Sequence, residues 1–387
     1  MSVTAARGFE AAGVACGIKD DGRADLALVA TADRRAVPAA GVFTANLATA
    51  APVLVSRSHL DATAGQAAAV VLNSANANAA TGDAGRADAE QTCALVADRL
   101  GCRGEEVLVC STGLIGIPLP MTAIRAGVPS VTGALCPAGA ADAAGAILTT
   151  DTAAKEVAVG GPGFTVGGMA KGAAMLAPDM ATMLALLTTD AAASPAELGA
   201  ALHAGVADSF NTLSVDGCCS TNDTVLLLGS GLAGPVDHDR LTAAVVEACA
   251  DLAGQMAADA EGATKVVRVV VTGAASADDA RRVARRIADS QLCKCSWYGA
   301  DPYWGRVVSE AGSAGAAFDP GRVSVAYGGV TVCVDGVAAA HDDTALMEVM
   351  AGRHLQVGVH LGLGEGAASI LTSDLTHGYI DENMRTS

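Results

Sequence analysis

Short apolar stretches alternate with polar turns along most of this chain. A stretch of this kind, bounded by Gly, Asp or Pro, is typical of a short buried strand. The pattern predicts strands at Leu26–Val29, Pro52–Val55, Val70–Asn73, Val107–Cys110, Met183–Leu187, Val225–Leu228 and Val330–Val334. The run Gly160–Gly163 (GGPG) predicts a hairpin turn between two further strands.

Helices are predicted between these strands. Pro195–Ala207 has Ala and Leu at helical spacing, and Glu197 lies near its start, where an acidic side chain favours a helix. Further helices are predicted at Asp88–Leu100, Leu241–Ala258 and Asp278–Ile287. The last of them carries two adjacent pairs of arginines, which we interpret as a solvated face paired with Asp278 and Asp279.

Composition narrows the class of protein. Of 387 residues, 51% are hydrophobic and 17% charged, which excludes a disordered chain and allows two domains with a sizeable core. With 41 acidic against 24 basic residues, the net charge is −17, so we expect no binding to nucleic acid or to an anionic membrane. The first residues lack a signal-peptide pattern and no apolar run reaches spanning length, which predicts a cytoplasmic protein.

The cysteines predict neither a disulfide framework nor a metal site. Eleven cysteines are scattered along the chain, and we interpret them as reduced thiols. The close pairs Cys218-Cys219 and Cys293-x-Cys295 lack further His or Cys residues at zinc spacing. A Gly-rich run, Gly362–Gly366, matches neither a P-loop nor a dinucleotide fingerprint. No metal and no cofactor are therefore expected.

One run near the middle of the chain carries candidate chemistry. Lys171–Leu184 reads KGAAMLAPDMATML, a loop of small residues and Pro that leads into Thr182 and then into an apolar strand. β-Propensity alone would explain an isolated threonine at the start of a strand. A threonine hydroxyl becomes an effective nucleophile only when a partner base takes its proton.

The whole run closely resembles the signature of the ornithine acetyltransferase family, the bifunctional glutamate N-acetyltransferases of arginine biosynthesis. In that family the chain cuts itself at the Ala-Thr bond. The resemblance implies a cut between Ala181 and Thr182, with Thr182 as the nucleophile. Cleavage would also supply the base, because the α-amino group of a new N-terminal residue has a pKa of about 7.7–8 and is fixed beside its own hydroxyl.

Two further segments resemble motifs of the same family. The sequence STGLIG follows the strand predicted at Val107–Cys110. The matching Thr-Gly of the family forms the oxyanion hole, which implies this role for the Thr112 hydroxyl and the Gly113 N–H. In the segment SANANAATG, Asn76 and Asn78 either cap the following helix or line the site.

The resemblance also implies a set of substrate-binding residues. Lys171 would contact the substrate, and Glu261 would hold an α-amino group such as that of ornithine. The TTD segment leaves Thr149 and Thr150 open as alternatives for one contact. The implied set is Thr149, Thr150, Lys171, Thr182, Glu261, Asn383 and Ser387.

The family resemblance further implies a mixed α/β fold. It is a layered αββα-type sandwich with a smaller C-terminal α/β domain, an architecture with which the predicted strands and helices agree. We place the main catalytic domain at residues 1–278, cut at 181/182 into α and β chains, and the smaller domain at residues 279–387. The mature enzyme is expected to be an α2β2 assembly.

The activity implied by the resemblance is acetyl transfer from N-acetylornithine to glutamate by a ping-pong route through acyl-threonine, with acetyl-CoA as a further donor in bifunctional members. Small amino acids are then the partners. Two alternatives stay open: a paralogue acting on another ornithine-like amino acid in secondary metabolism, and a related amidohydrolase with an N-terminal nucleophile.

These alternatives rest on departures from the family pattern. Ala174 stands where the family usually has Gly, Cys295-Ser296 replace Thr-Ala, and Tyr303 replaces Asn. The chain also ends in MRTS, which differs from the usual family terminus. The nucleophile and oxyanion motifs are intact, so the sequence indicates acyl transfer more firmly than it indicates the acceptor.

Overall fold

The computed structural model describes residues 2–175 and 183–384, which form two compact units. The first unit holds residues 2–175, 183–211 and 218–256; the second holds residues 212–217 and 257–384. The domain boundary predicted between residues 278 and 279 stays a prediction.

The chain forms strands and helices in a mixed order. The strands are β1 (Phe9–Val14), β2 (Leu26–Thr31), β3 (Val37–Phe43), β4 (Gln66–Ala67), β5 (Ala69–Asn73), β6 (Val107–Ser111), β7 (Lys155–Gly161), β8 (Phe164–Lys171), β9 (Leu184–Ala192), β10 (Leu213–Ser214), β11 (Thr224–Pro235), β12 (Val266–Ala274), β13 (Ser324–Tyr327), β14 (Val330–Val334), β15 (Val337–Ala338), β16 (His354–His360) and β17 (Gly366–Ser373). The helices are α1 (Ala51–Ala62), α2 (Gly82–Leu100), α3 (Met121–Gly133), α4 (Ala140–Ala146), α5 (Pro195–Ala207), α6 (His238–Ala258), α7 (Ala277–Ala288), α8 (Gln291–Tyr298), α9 (Trp304–Gly312), α10 (Asp343–Ala351) and α11 (His377–Asn383).

Two sheets organise the first unit. One has the order β1-β2-β5-β6, with β5 and β6 parallel and the other pairs antiparallel. The other has the order β4-β3-β11-β9-β8-β7, with β9 and β11 parallel. Parallel neighbours bring the carboxyl ends of β5 and β6 to one edge, and the amino ends of β9 and β11 likewise lie side by side.

The two sheets pack face to face. Along β2 and β6 successive side chains point to opposite faces, so Val29 and Leu108 enter a core shared with Leu186 and Leu226 of the six-stranded sheet. On the opposite face of the four-stranded sheet, α2 and α3 cover a second core. Helix α5 packs on β3 and β11 of the six-stranded sheet. The first unit is therefore the layered αββα sandwich that the family resemblance implied.

The strand predicted at Pro52–Val55 is wrong, because these residues lie in the first turns of α1. A short apolar run does not distinguish a strand from a buried helix face. Proline fits the start of a helix, where its missing N–H has no intrahelical partner, and here it stands at that position. Helix α5, in contrast, has the predicted bounds, and Ser194 and Glu197 form a capping box at its start.

The second unit is a seven-stranded sheet with helices packed on it. Its order is β10-β17-β12-β16-β13-β14-β15, and its core includes Trp297 and Tyr327. Helix α7 turns its apolar face to this core. Arg281 and Arg282 pair with Asp278 and Asp279 as predicted. The second arginine pair, Arg285 and Arg286, contacts Asp289 and Glu310 instead. Among the described residues no helix combines the length and apolarity needed to cross a membrane.

Candidate active site

The predicted oxyanion residues lie directly after β6. Thr112 is buried, and its N–H donates to the Asn73 carbonyl at the end of the neighbouring strand β5 (3.0 Å). Gly113 has a φ of +132°, and a Cβ at this position would come within 2.1 Å of the Ala75 carbonyl carbon. Only glycine fits this backbone position without displacing the loop at Ala75.

Asn76 holds the same loop in place and does not cap α2. Its side-chain amide donates to the carbonyls of Ile117 (3.2 Å) and Pro118 (3.1 Å), beyond the Thr-Gly turn. Asn78 donates to the Gly85 carbonyl (2.8 Å), so it contacts the first turns of α2 through a carbonyl and does not satisfy a helix N–H. Of the two alternatives for Asn76, capping is therefore wrong.

Lys171, at the end of β8, reaches the candidate oxyanion group. Its buried ammonium donates to the Thr112 hydroxyl (3.2 Å) and lies 3.9 Å from an Asp151 oxygen. The bond to Thr112 uses a lone pair of the hydroxyl and leaves its hydrogen to donate elsewhere. The geometry is thus compatible with a hydroxyl that donates to a developing oxyanion.

Asp151 is the buried anion beside this lysine. It accepts from the Lys155 ammonium (2.5 Å), the Gly172 N–H (2.7 Å) and the Thr149 N–H (3.2 Å). Burial by itself would raise the pKa of Asp151, but the charges of Lys171 and Lys155 and these hydrogen bonds outweigh it and lower the pKa to about 2. Asp151 is therefore a carboxylate at neutral pH and a fixed counter-charge for both lysines.

A cavity of about 310 Å³ opens beside Gly113. Thr149 and Thr150 both line it, so the structure places both alternatives for the threonine contact at one cavity. Its other walls are Ala75, Leu114 and a loop that sequence reasoning missed, which contributes Ile18, Lys19, Asp20, Asp21 and Arg23. The signal that could have found this loop is Asp25, the acidic residue directly before the apolar strand β2.

Asp25 fixes the shape of that loop. Its buried carboxylate accepts the backbone N–H groups of Cys16, Gly17, Ile18 and Lys19, at distances between 2.7 and 3.1 Å. Burial would raise the pKa of Asp25, but these hydrogen bonds outweigh it and lower the pKa. The loop is thus held by an anion at its base, and it forms a rigid wall of the cavity.

Ala181 and Thr182, the predicted cleavage site and nucleophile, lie outside the described residues. The next residue, Met183, is buried, and its N–H donates to Asp223 Oδ1 (2.9 Å). Asp223 lies at the amino end of β11, and burial raises its pKa well above the usual range, although the Met183 bond acts in the opposite direction. Sequence reasoning assigned this residue no role.

Asn222, beside Asp223, contacts the other half of the candidate site. Its side-chain amide donates to the Ser111 carbonyl (2.9 Å) and to the Ala77 carbonyl (2.6 Å). Ser111 immediately precedes Thr112. Two adjacent residues, Asn222 and Asp223, therefore tie the end of β6 to the start of β9.

Two further predicted substrate residues, Glu261 and Asn383, lie in the second unit. Glu261 is largely buried, and the Asn383 amide donates to its carboxylate (2.7 Å) and to the Tyr379 carbonyl (2.9 Å). Ser387 lies outside the described residues. The structure therefore brings Thr112, Gly113, Thr149, Thr150 and Lys171 together in one unit, and Glu261 and Asn383 together in the other.

Of the residues that depart from the family pattern, Tyr303 and Cys295 are exposed, whereas Ser296 is buried. Tyr303 is 58% exposed, and the Arg306 guanidinium lies 6.0 Å from the centre of its ring. Cys295 is exposed on α8, and all eleven cysteines are free thiols. Within the described residues, no three metal-ligating side chains cluster.

Comparison with known proteins points to one family. A model of the ArgJ family matches residues 10–386. The arginine biosynthesis bifunctional protein ArgJ of Mycolicibacterium paratuberculosis is 50% identical over 400 residues, covering 100% of this chain and 96% of the relative. The protein of the same name from Streptomyces coelicolor is 49% identical over 389 residues and is covered over 100% of both chains.

Solved structures with these names are also similar. The crystal structure of ArgJ from Bacillus halodurans is 34% identical and covers 51% of this chain and 96% of its own, with a TM-score of 0.49. Ornithine acetyltransferase from Mycobacterium tuberculosis, complexed with ornithine, is 44% identical and covers 46% of this chain and 94% of its own, with a TM-score of 0.42.

Proposed function

Because the chain belongs to the ArgJ family, we propose that it is a self-cleaving N-acetyltransferase that moves acetyl from N-acetylornithine to glutamate. The reaction is ping-pong. Thr182 takes the acetyl group as an ester and releases ornithine, and glutamate then takes the acetyl group from the ester. Relatives about half identical over the full chain, named as bifunctional arginine-biosynthesis proteins, support this assignment.

The observation that carries the proposal is the arrangement of Thr112, Gly113 and Lys171 in the first unit. A backbone that only glycine fits lies next to a buried hydroxyl whose lone pair is taken by a lysine ammonium. The Thr112 hydroxyl and the Gly113 N–H are the two donors that would stabilise a tetrahedral oxyanion, and each would contribute about 2.7–4 kcal/mol to lowering the barrier.

The cavity beside Gly113 is the proposed place for the substrate. Thr149 and Thr150 line it. The Lys171 ammonium, which donates to the Thr112 hydroxyl next to Gly113, would attract a substrate carboxylate. Glu261 would take the α-amino group, with Asn383 holding its carboxylate in place. Ser387 is proposed as a further contact from the chain end.

The proposal also covers the oligomeric state, the acetyl donors and the cellular location. We propose an α2β2 assembly formed after the cut, acetyl-CoA as a second donor, and a cytoplasmic location. The free thiols of all eleven cysteines agree with a reducing compartment.

The direct test is trapping of the acyl-enzyme. Purified protein mixed with N-acetylornithine should gain the mass of one acetyl group on the fragment that begins with Thr182, and glutamate should remove it. A panel of other amino acids as acceptors separates this function from its alternatives. Acetyl transfer to a different ornithine-like amino acid would indicate the paralogue, and loss of acetyl to water alone would indicate the amidohydrolase.

A further inference from the structure

Lys19 places a cation in the wall of the cavity beside Gly113. A second cation of the same wall, Arg23, is paired with Asp21 (2.5 Å). The Lys19 ammonium donates to the Ala24 carbonyl (2.7 Å), and within the described part of the chain it forms no ion pair with a carboxylate. Of the two cations, Lys19 is therefore the one whose described partner is a neutral carbonyl.

The backbone of Lys19 is fixed, and its side chain is partly removed from water. Its N–H donates to the buried Asp25 carboxylate (2.9 Å), which also accepts the three preceding N–H groups. Burial lowers the pKa of the Lys19 ammonium, and the positive charges of Arg23 and Lys171 act in the same direction. The carboxylates of Asp25 and Asp21 act in the opposite direction without outweighing them. A half-buried cation in such a setting is stabilised by a bound anion.

The two proposed substrates differ in one charged group. N-acetylornithine and glutamate share an α-carboxylate, for which Lys171 is the proposed partner. The side chain ends in an ammonium group in the donor and in a carboxylate in glutamate. A second cation at the cavity therefore has a counter-charge in glutamate that the donor does not supply.

We propose that Lys19 recognises the γ-carboxylate of glutamate. Its ammonium has two hydrogens besides the one donated to Ala24, and either can donate to a carboxylate oxygen. Such a charge-assisted bond is stronger than a bond between neutral groups. Lys19 is then a specificity-determining residue for the second half of the reaction, in which glutamate takes the acetyl group. This role rests on the proposed function, which supplies glutamate as the acceptor.

The same wall also admits the donor. Asp20 and Asp21 line the cavity beside Lys19, so carboxylates lie on the same wall as the cation. The δ-ammonium of N-acetylornithine therefore meets a wall of mixed charge. Because like charges repel, removing the Lys19 charge should not weaken the binding of the donor.

The test compares Lys19→Met with Arg103→Met in the two half-reactions. Methionine keeps most of the apolar stem of lysine and removes the ammonium. Arg103 is the control, because it is a cation of the same unit whose guanidinium pairs with Glu106 (3.0 Å) just before β6. The first half-reaction is followed by intact mass, as acetyl-enzyme formed from N-acetylornithine. The second is followed as loss of that acetyl group to glutamate or to glutamine, which has nearly the same shape and an uncharged side chain.

We expect Lys19→Met to lower kcat/KM for glutamate about 10–100-fold, the usual loss for one charge-assisted hydrogen bond. Its kcat/KM for glutamine and its rate of acetyl-enzyme formation should stay within a few-fold of the wild type. The preference for glutamate over glutamine should therefore largely disappear in Lys19→Met and persist in Lys19→Arg, which keeps a cation. Arg103→Met should behave as the wild type.

A residue with only a structural role would change both half-reactions alike. An equal loss in both half-reactions of Lys19→Met therefore overturns the proposal, and so does an unchanged preference for glutamate. Thermal melting shows whether the variant folds. If it does not, Lys19→Gln takes its place with the same expected outcomes, because its amide can still donate a hydrogen bond. A wild type that uses glutamine as readily as glutamate overturns the role of Lys19 by itself.

Failure of this role is distinct from failure of the proposed function. A wild type that forms acetyl-enzyme and transfers acetyl to glutamate, with Lys19→Met equally selective, overturns only the role of Lys19. A wild type that forms no acetyl-enzyme from N-acetylornithine overturns the proposed function as well. Transfer of acetyl to a different amino acid or to water, and not to glutamate, also overturns both.

Discussion

At the scale of single residues, the candidate chemistry depends on which lone pair and which hydrogen each group uses. The Lys171 ammonium donates to Thr112, so the threonine hydroxyl is oriented by a cation and its hydrogen can donate to an oxyanion. At Gly113 the decisive fact is steric, since a Cβ would collide with the Ala75 backbone. The sequence motif identifies both residues, but it does not show where their atoms lie.

Replacing Thr112 by Val should lower the acyl-transfer rate by about 10²–10³ and leave KM nearly unchanged, because valine keeps the shape and removes one oxyanion donor. Steady-state kinetics with N-acetylornithine and glutamate measure this. Thr132→Val, which removes a hydroxyl bonded within α3, is the control and should behave as the wild type. A rise in KM alone would show that Thr112 contacts the ground state.

Replacing Tyr303 by Asn should change the choice of acceptor and leave the acetyl-threonine step intact. Tyr303 offers a phenolic hydroxyl where the family has an amide, and a site built to bond one substrate group discriminates by about 10⁴–10⁵ against analogues that lack it. The measurement is kcat/KM for glutamate, ornithine and close analogues. Tyr303→Phe separates the hydroxyl from the ring. Equal selectivity in all three proteins would make Tyr303 a scaffold residue.

At the scale of elements, the first unit brings strand ends together. The ends of β6 and β8 and the starts of β9 and β11 meet around Thr112, Lys171, Met183 and Asp223. Asp151 connects the start of β7 to the end of β8, because it accepts hydrogen bonds from the Lys155 ammonium and from the Gly172 N–H, directly after β8. Removing one partner of a buried ion pair of this kind strongly destabilises the folded protein.

Asp151→Asn should therefore destabilise the protein by about 3–5 kcal/mol at pH 7. The part due to ionisation has a definite sign. The folded state lowers the Asp151 pKa to about 2, so this stabilisation, about 2 kcal/mol, is present above pH of about 4 and is lost as the pH falls toward 2. Denaturant unfolding between pH 7 and 3 measures the free energy of unfolding of the wild type and of Asp151→Asn. Asp21→Asn, at an exposed pair with Arg23, should change stability little.

At the scale of the whole molecule, the chain combines an αββα sandwich with a second α/β unit, and the predicted substrate residues are divided between them. The first unit holds the candidate oxyanion donors and Lys171. The second holds Glu261 and Asn383 in a hydrogen-bonded pair. Each unit thus contains part of the predicted set of substrate residues.

Purified protein should consist of two fragments, the second beginning at Thr182. The reason is chemical, since a free α-amine is the base that the mature nucleophile requires. N-terminal sequencing and intact mass measure the cut, and Thr182→Ala should stay as one chain. Full activity in an uncut wild-type chain would contradict both the cleavage and the use of the amine as base.

The sequence by itself determined most elements and the family. Local sequence patterns correctly predicted helix α5 and the strands around Val70 and Val107. These patterns, a capping box and runs of apolar residues, involve only residues close together in the sequence. The motif around Thr182 identified the chemistry, because its residues are contiguous. Local pattern failed at Pro52–Val55, where only packing against the sheet distinguishes a helix from a strand.

Only the tertiary structure shows which distant segments of the chain contact each other. Asn222 and Asp223 link Ser111 to Met183, and a loop held by Asp25 faces Gly113. Both arrangements depend on contacts between residues that are far apart in the chain. The surroundings likewise decided the direction of each pKa shift, since Asp151 and Asp223 are the same residue type with pKa values shifted in opposite directions. The charges of two nearby lysines lower the pKa of Asp151, and burial raises the pKa of Asp223. No spacing in the sequence specifies either shift.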